Sequence, residues 1–356
     1  MANLTAPKFS LTFKELGSTA VTRGNKGTVA IIVRDAADVA PVVLGQASQI
    51  PAALGAEVKA YIARAFVGYV APPQRVVVYV LSEDGDIADA LAYMATVDID
   101  YLVGPMECSE ADAKAIADWV TAQRDNDYSK VKAVLPNYSA DSCGVINFAT
   151  DKLVEGKVEY TAAAFCSRIA GLVAGTPMSI SATYAPLPEL TDCTRKTREQ
   201  LDADVAAGKL VAFWDGRKVK LSRAVNSLVT TTEGMLDSFK KIKIVEVQDM
   251  IRTDVRATVE DEYIGKYANT YDNKMLLVAA LRSYFAGLWR DDLVQEDYVV
   301  DLDIDAVEAY LIQKGTDTTG MTEQDLRQAD TGTHLFLLIK CKILDAIEDV
   351  AIKIEI

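Results

Sequence analysis

Along the first half of the chain, short unbroken apolar runs alternate with segments whose apolar residues recur every three or four positions. Gly27 to Val33 (GTVAIIV) and Arg75 to Leu81 (RVVVYVL) read as strands buried on both faces, and Asp100 to Val103 and Val131 to Leu135 as shorter ones. Between them Leu54, Val58, Tyr61, Ile62, Ala65, Phe66 and Tyr69 share one helical face; Ile87, Leu91 and Met94 mark a second helix, and 110–124 a third. Strands that alternate with helices in this way predict a mainly parallel sheet covered on both sides.

Further on, Tyr160 to Gly175 (YTAAAFCSRIAGLVAG) predicts a helix rich in small residues, stopped by Gly175-Thr176-Pro177. Alanine and glycine on a helix permit close approach of a neighbour. From Lys209, LVAFWDGRKVKLSRAVNSLVT predicts a hairpin turning at Asp215-Gly216 in a type I′ turn. The last third predicts long helices over 242–264 and 273–290, the second with Leu277, Leu281, Tyr284, Phe285 and Leu288 on one face. A capping box at Asp305–Glu308 opens a short helix, and Leu335 to Leu344 is strongly β-prone. No repeat of solenoid period is present.

Both ends of the chain alternate with the period of a half-buried strand. Phe9, Leu11 and Phe13 alternate with Ser10, Thr12 and Lys14. Val350, Ile352, Ile354 and Ile356 alternate with Ala351, Lys353 and Glu355. Termini are normally polar and frayed, and an unpaired strand of this composition is an aggregation hazard. Pairing at an edge of the chain's own sheet and donation to another subunit both satisfy the pattern.

The 356 residues, half of them apolar and a quarter charged, have the composition of an ordinary globular chain. The net charge of −14 repels phosphate backbones and argues against nucleic acid as a partner. The start, Met1 to Lys8, lacks the layout of a secretory signal, and the uncharged run of 169–188 is too rich in glycine, proline and hydroxyl residues for a membrane span. The five cysteines, spread without a CxxC pair, read as reduced thiols made in a cytoplasm.

Chemistry is sparse. No GxxxxGK[ST] or strand-linked GxGxxG is present, and Gly24–Gly27 forms at most a small anion nest. Cys108 and Cys143 fall near predicted strand ends, but the only histidine, His334, would have to act alone as their base. Asp301, Asp303 and Asp305 resemble half a calcium loop without its glycine and terminal glutamate, and a strand end followed by a helix cap accounts for them equally. No cofactor or metal is expected. The reading from another class is a cytoplasmic α/β hydrolase with a cysteine or carboxylate site.

Three segments in order carry a resemblance. They are the strand–helix–strand text from Val29 through Tyr61–Phe66 to Val76–Val80, the helix Ala162 to Pro177, and Gly208–Val211 with Asp215–Val219 and Arg223–Leu228. Together with the paired helices and β-rich C-terminus, they make the chain resemble the contractile tail sheath proteins of phages and phage-tail-like particles, in the short form found with Gram-positive hosts. The usual glycine-rich lead into the second strand is here Ala71-Pro72-Pro73-Gln74.

The resemblance implies a structural, non-enzymatic protein: an α/β core with a mainly parallel sheet, a C-terminal α+β domain and extended N- and C-terminal strand arms. The expected division is an arm at 1–20, a core at 21–240 with a subdomain break near 100 left open, an α+β domain at 241–345 and an arm at 346–356. The resemblance further implies self-association into a helical polymer of hexameric rings around a tail tube protein, with baseplate and tail terminator proteins as further partners. Synthesis is expected in a bacterial host's cytoplasm and residence in the tail. Phe9, Leu11, Phe13, Val350, Ile352, Ile354 and Ile356 would be donated to a neighbour. The expected acceptor strand comprises Leu335, Leu337, Ile339, Cys341 and Ile343. Lys240, Lys241 and Lys243 are candidates for docking onto the tube, and Gly17 and the 315–332 loop are candidate hinges.

Overall fold

The computed structural model describes residues 27–126 and 129–355. Phe9, Leu11, Phe13, Gly17, most of the Gly24–Gly27 segment and Ile356 lie outside them.

The strands, in chain order, are β1 Thr28–Arg34, β2 Val42–Leu44, β3 Arg75–Leu81, β4 Tyr101–Val103, β5 Lys132–Pro136, β6 Val145–Phe148, β7 Leu153–Glu155, β8 Val158–Tyr160, β9 Asp192–Cys193, β10 Lys209–Leu210, β11 Ala212–Trp214, β12 Val219–Leu221, β13 Val299–Leu302 and β14 Leu337–Lys340. The helices are α1 Ala56–Ala65, α2 Ile87–Met94, α3 Glu110–Asn126, α4 Ala162–Ala174, α5 Arg198–Ala206, α6 Ile242–Thr258, α7 Tyr271–Arg290, α8 Ile304–Gln313 and α9 Glu323–Gln328.

The described residues divide into two compact units, one formed by 27–126, 129–254, 289–295 and 342–355, the other by 255–288 and 296–341. The larger unit is built on a seven-stranded sheet in the order β10-β6-β5-β4-β1-β3-β2, parallel except for β2. The sheet runs through position 100 without a break, since β4 follows directly and pairs with β1 (Val29↔Tyr101). One face packs Val29, Ile31 and Val33 against α1 and α4. The other packs Ala30, Ile32 and Val77 against the residues of α2 and α3. Cover on both faces explains why β1 and β3 are nearly continuous apolar runs.

The small residues of α4 work as expected. A Cβ on Gly171 would lie 1.9 Å from the Ala65 carbonyl oxygen, so α1 and α4 meet backbone to backbone. Ser167 Oγ donates to Tyr61 O at 2.7 Å and Arg64 NH1 to Ala164 O at 3.0 Å, which ties the two helices together. Thr161 caps α4, its side chain accepting from Ala164 N.

In the smaller unit β13 and β14 form a two-stranded antiparallel sheet (Val300↔Ile339, Leu302↔Leu337). Leu326 of α9 packs with Val307 and Leu311 of α8.

Several details depart from the sequence reading. The hairpin β11–β12 turns over Gly216-Arg217, closed by Asp215 N donating to Lys218 O at 3.1 Å, one residue beyond the expected position and without the two positive φ angles of a type I′ turn. There the Asp215 carboxylate accepts from the Arg217 and Lys218 amides at 2.9 Å each, and Gly216 takes φ +96°. The cap of α8 is Asp303, whose side chain accepts from Ala306 N, and not Asp305. The helix expected over 242–264 ends at Thr258 and continues as a π-helical turn, Val259–Tyr263. The 315–332 segment carries α9 behind a capping box of Thr322 and Asp325, so it is not a structureless linker. The β-prone run 335–344 is regular only over Leu337–Lys340, with one isolated bridge from Ile343 to Val294.

Candidate assembly interface

The residues considered for catalysis are occupied structurally. Burial, then the Asp112 carboxylate, pushes the Cys108 thiol up to about 12, which makes it a poor nucleophile near neutral pH. Cys143 Sγ lies 3.9 Å from Arg124 NH2. His334 is exposed, with its ring stacked on Phe336 and tilted against Tyr310. Asp301 binds Arg327 in a two-pronged pair at 2.8 and 2.9 Å, and Asp303 is the cap of α8. The half calcium loop is therefore a strand end and a helix cap. No group of three or more metal-ligating side chains occurs among the described residues. The amides of Gly27 and Thr28 do hold an anion, but it is the chain's own Asp100 carboxylate, at 2.7 and 2.9 Å.

The expected acceptor strand begins in the smaller unit. β14 pairs with β13 on one edge, and the described residues offer its other edge no partner. Leu335 and Leu337 line a groove of about 560 Å³ together with Val259, Tyr263, Ile264 and Leu277. Ile339 lies within β14 opposite Val300, and Cys341 just beyond it is exposed and unbridged. Ile343 belongs to the larger unit, where the chain pairs at Val294.

The C-terminal segment has a bound root and an exposed end. Gln295 N donates to Lys342 O and Leu344 N to Leu293 O, each at 2.9 Å, which fixes 342–344. From 345 to 355 the chain forms no helix or strand. Val350, Ile352 and Ile354 are 70, 79 and 78 % exposed, so the alternating apolar side has no cover among the described residues. Open backbone groups and an uncovered apolar stripe are what a strand seeking a partner presents.

The three candidate docking lysines differ in their surroundings. Lys241 forms ion pairs with Asp345 and Glu348. Burial alone would lower its ammonium pKa, but those two carboxylates outweigh burial and raise it. Lys243 is 6 % exposed, its ammonium donating to Ser179 O at 3.2 Å, and burial lowers its pKa. Lys240 pairs at 2.8 Å with exposed Asp237.

Sequence reasoning missed the charged cluster beneath α6. Asp249 Oδ1 and Oδ2 receive Arg124 NH2 and NH1 at 2.9 and 2.8 Å, Arg252 NH2 adds a contact at 2.9 Å, and Lys132 Nζ lies 3.0 Å away. Lys132 also reaches Glu246 Oε1 at 2.9 Å, and the Tyr101 hydroxyl donates to the same oxygen. Burial raises the Tyr101 phenol pKa far above its usual value, so it stays protonated as a donor. Glu246 and Asp249 at i, i+3 on the otherwise apolar face of α6 were the available signal.

Solved structures share this fold. The sheath tail protein from Desulfitobacterium hafniense matches with a TM-score of 0.68 at 17 % identity, covering 83 % of this chain and 94 % of that one. The helical sheath of the anti-feeding prophage, solved in its contracted state, matches with a TM-score of 0.73 at 14 % identity over 99 % of both chains. The class is thus that of the tail sheath fold. In sequence, the chain is 34 % identical to the tail sheath protein of Clostridium phage phiCD119, over 97 % of this chain and 98 % of that one. The phage tail sheath protein central domain matches residues 82–227 and the phage tail sheath C-terminal domain residues 237–356. The chain belongs to the phage tail sheath family. It is a structural protein of the tail sheath and not an enzyme.

Proposed function

We propose that the subunit polymerises into stacked six-fold rings around an inner tail tube, with baseplate and tail terminator proteins at the ends, and that neighbours are joined by donated terminal strands. It is made in the host cytoplasm and resides in the tail. The observation that carries this reading is the exposed alternation of Val350, Ile352 and Ile354, together with a β14 edge that has no partner among the described residues and an apolar groove lined by Leu335 and Leu337. A strand added to such an edge gains main-chain hydrogen bonds, while its alternate side chains fill the groove and set register. The N-terminal residues Phe9, Leu11 and Phe13 are assigned the same part.

A head-to-tail contact that does not close produces an open helical stack. Contraction then requires only that the final packing be better by about a few kcal/mol per subunit, because many subunits convert together. Arms that stay paired keep the lattice connected while bodies rotate. Tube docking is assigned to the lysine region, with Lys240 the side chain to reverse first.

The test is electron microscopy of the full chain mixed with tail tube protein, beside chains lacking 1–17 or ending at 349. Sheaths from the full chain and none from either truncation are expected. Sheaths of normal length from both truncations would refute strand donation, and K240E subunits that coat tubes normally would refute that docking assignment.

A further inference from the structure

The root of the C-terminal arm is held by side chains centred on Glu348. Its side chain is 5 % exposed. Oε1 accepts from Ser181 Oγ at 3.1 Å and from Thr183 Oγ1 at 2.5 Å. Oε2 accepts from Lys241 Nζ at 3.0 Å and lies 3.3 Å from Arg223 Nε. On either side of it, Asp345 pairs with Lys241, and Asp349 Oδ1 lies 2.5 Å from Arg223 NH2. One residue later the exposed apolar alternation begins at Val350.

The receiving loop is itself fixed. Thr183 N donates to Ser181 Oγ at 3.1 Å, and Ala224 N donates to Thr183 Oγ1 at 2.9 Å. Tyr184 takes φ 59°, a conformation uncommon for a side chain of this size, and its ring packs on Phe213 with centroids 5.5 Å apart. A carboxylate surrounded by two hydroxyls, an ammonium and a guanidinium is a built site, and charge-assisted bonds of this kind are the strong ones.

We propose that Glu348 is the anchor of the C-terminal arm, holding 345–349 on its own subunit so that 350–355 is presented in a fixed direction to a second copy of this chain. The inference rests on the strand-donation reading above and adds what directs the strand. An arm with a fixed root explores a smaller volume than a free tail, which raises its effective concentration at the neighbour and lowers the ordering cost of pairing. The same anchor passes any pull on a paired strand into the segments that carry Arg223 and Lys241, so the arm acts as a tether and does not peel from its own body.

The test compares the full chain with E348Q, which keeps the shape and removes the charge, and with T183V, which removes one hydroxyl and leaves the charge. Nitrogen-15 relaxation on the unassembled protein reads backbone order at 345–349. Order parameters are expected near the rigid value of about 0.85 in the full chain and below about 0.6 in E348Q, with T183V between them. Sheath assembly on tail tube protein should need roughly tenfold more E348Q than full chain. Unchanged order in a folded E348Q would overturn the anchor. So would released order with an unchanged assembly threshold, provided that the chain ending at Asp349 fails to assemble. If E348Q does not fold, T183V decides, and wild-type order in it overturns the anchor. Normal assembly of the chain ending at Asp349 would instead overturn strand donation, and the anchor's purpose with it, a result distinguishable from the others.

Discussion

Replacing Gly171 by alanine tests whether the backbone contact between α1 and α4 is what fixes one face of the sheet. The added methyl would sit 1.9 Å from the Ala65 carbonyl oxygen and 2.8 Å from Ala65 Cα, and both are main-chain atoms that no rotamer change can remove. The helices must separate by more than 1 Å, loosening a contact that includes Tyr61, Phe165 and Ile169 and bending the Ser167–Tyr61 bond. Overpacking of this kind costs up to about 3 kcal/mol. Alanine is intrinsically better than glycine in a helix by about 1 kcal/mol, leaving a net loss of about 2 kcal/mol. For a unit of this size that corresponds to a fall in Tm of roughly 4–8 °C, measured by thermal unfolding followed by circular dichroism. Gly287, in α7, is the control: a Cβ there meets nothing within 4 Å, so G287A should be neutral or stabilising by up to about 1 kcal/mol. If G171A unfolds at or above the wild-type temperature, the close approach does not limit the packing of α1 on α4.

Two further outcomes follow from the charged side chains. D249A leaves Arg124, Lys132 and Arg252 without their shared carboxylate in a buried setting and should cost about 3–5 kcal/mol, whereas D118A, which breaks the exposed Lys114–Asp118 pair, should cost less than about 1 kcal/mol; urea unfolding curves separate them, and equal midpoints would show that the cluster is not strained by the loss. Burial pushes the Asp112 carboxyl up, but the Arg34 guanidinium and the Ser109 amide and hydroxyl outweigh it and hold the pKa below the usual carboxylate value. Its contribution is therefore present above the unfolded value near 3.9 and lost as pH falls through the lower folded value. D112N should accordingly be less stable than wild type at pH 6, with the difference shrinking towards pH 2; a gap that stays constant across that range would refute the assignment.

The main parallel sheet was legible because its signal is local. β1 and β3 are read from unbroken apolar runs, and α4 from its spacing of small residues. β2 and β6 were not legible: Val42–Leu44 and Val145–Phe148 are short, and each follows the preceding strand with no helix between to set it off, unlike the equally short β4. The cap of α8 was misplaced by two residues because Asp301, Asp303 and Asp305 offer equivalent chemistry until the direction of the chain out of β13 selects one.

What the sequence by itself determined was the order of strands and helices, the lack of a nucleotide loop and the alternating end, all carried by neighbours along the chain. What only the tertiary structure decided was which charges meet. Arg124 finds Asp249 across 125 residues and Thr183 finds Glu348 across 165. Nothing in a one-dimensional pattern distinguishes a carboxylate that will be enclosed by four donors from one that will face water. The difference arises when distant segments are brought together by burial of the apolar runs between them, which is why Glu348 is one carboxylate among many in the sequence and is met by four donor side chains in the fold.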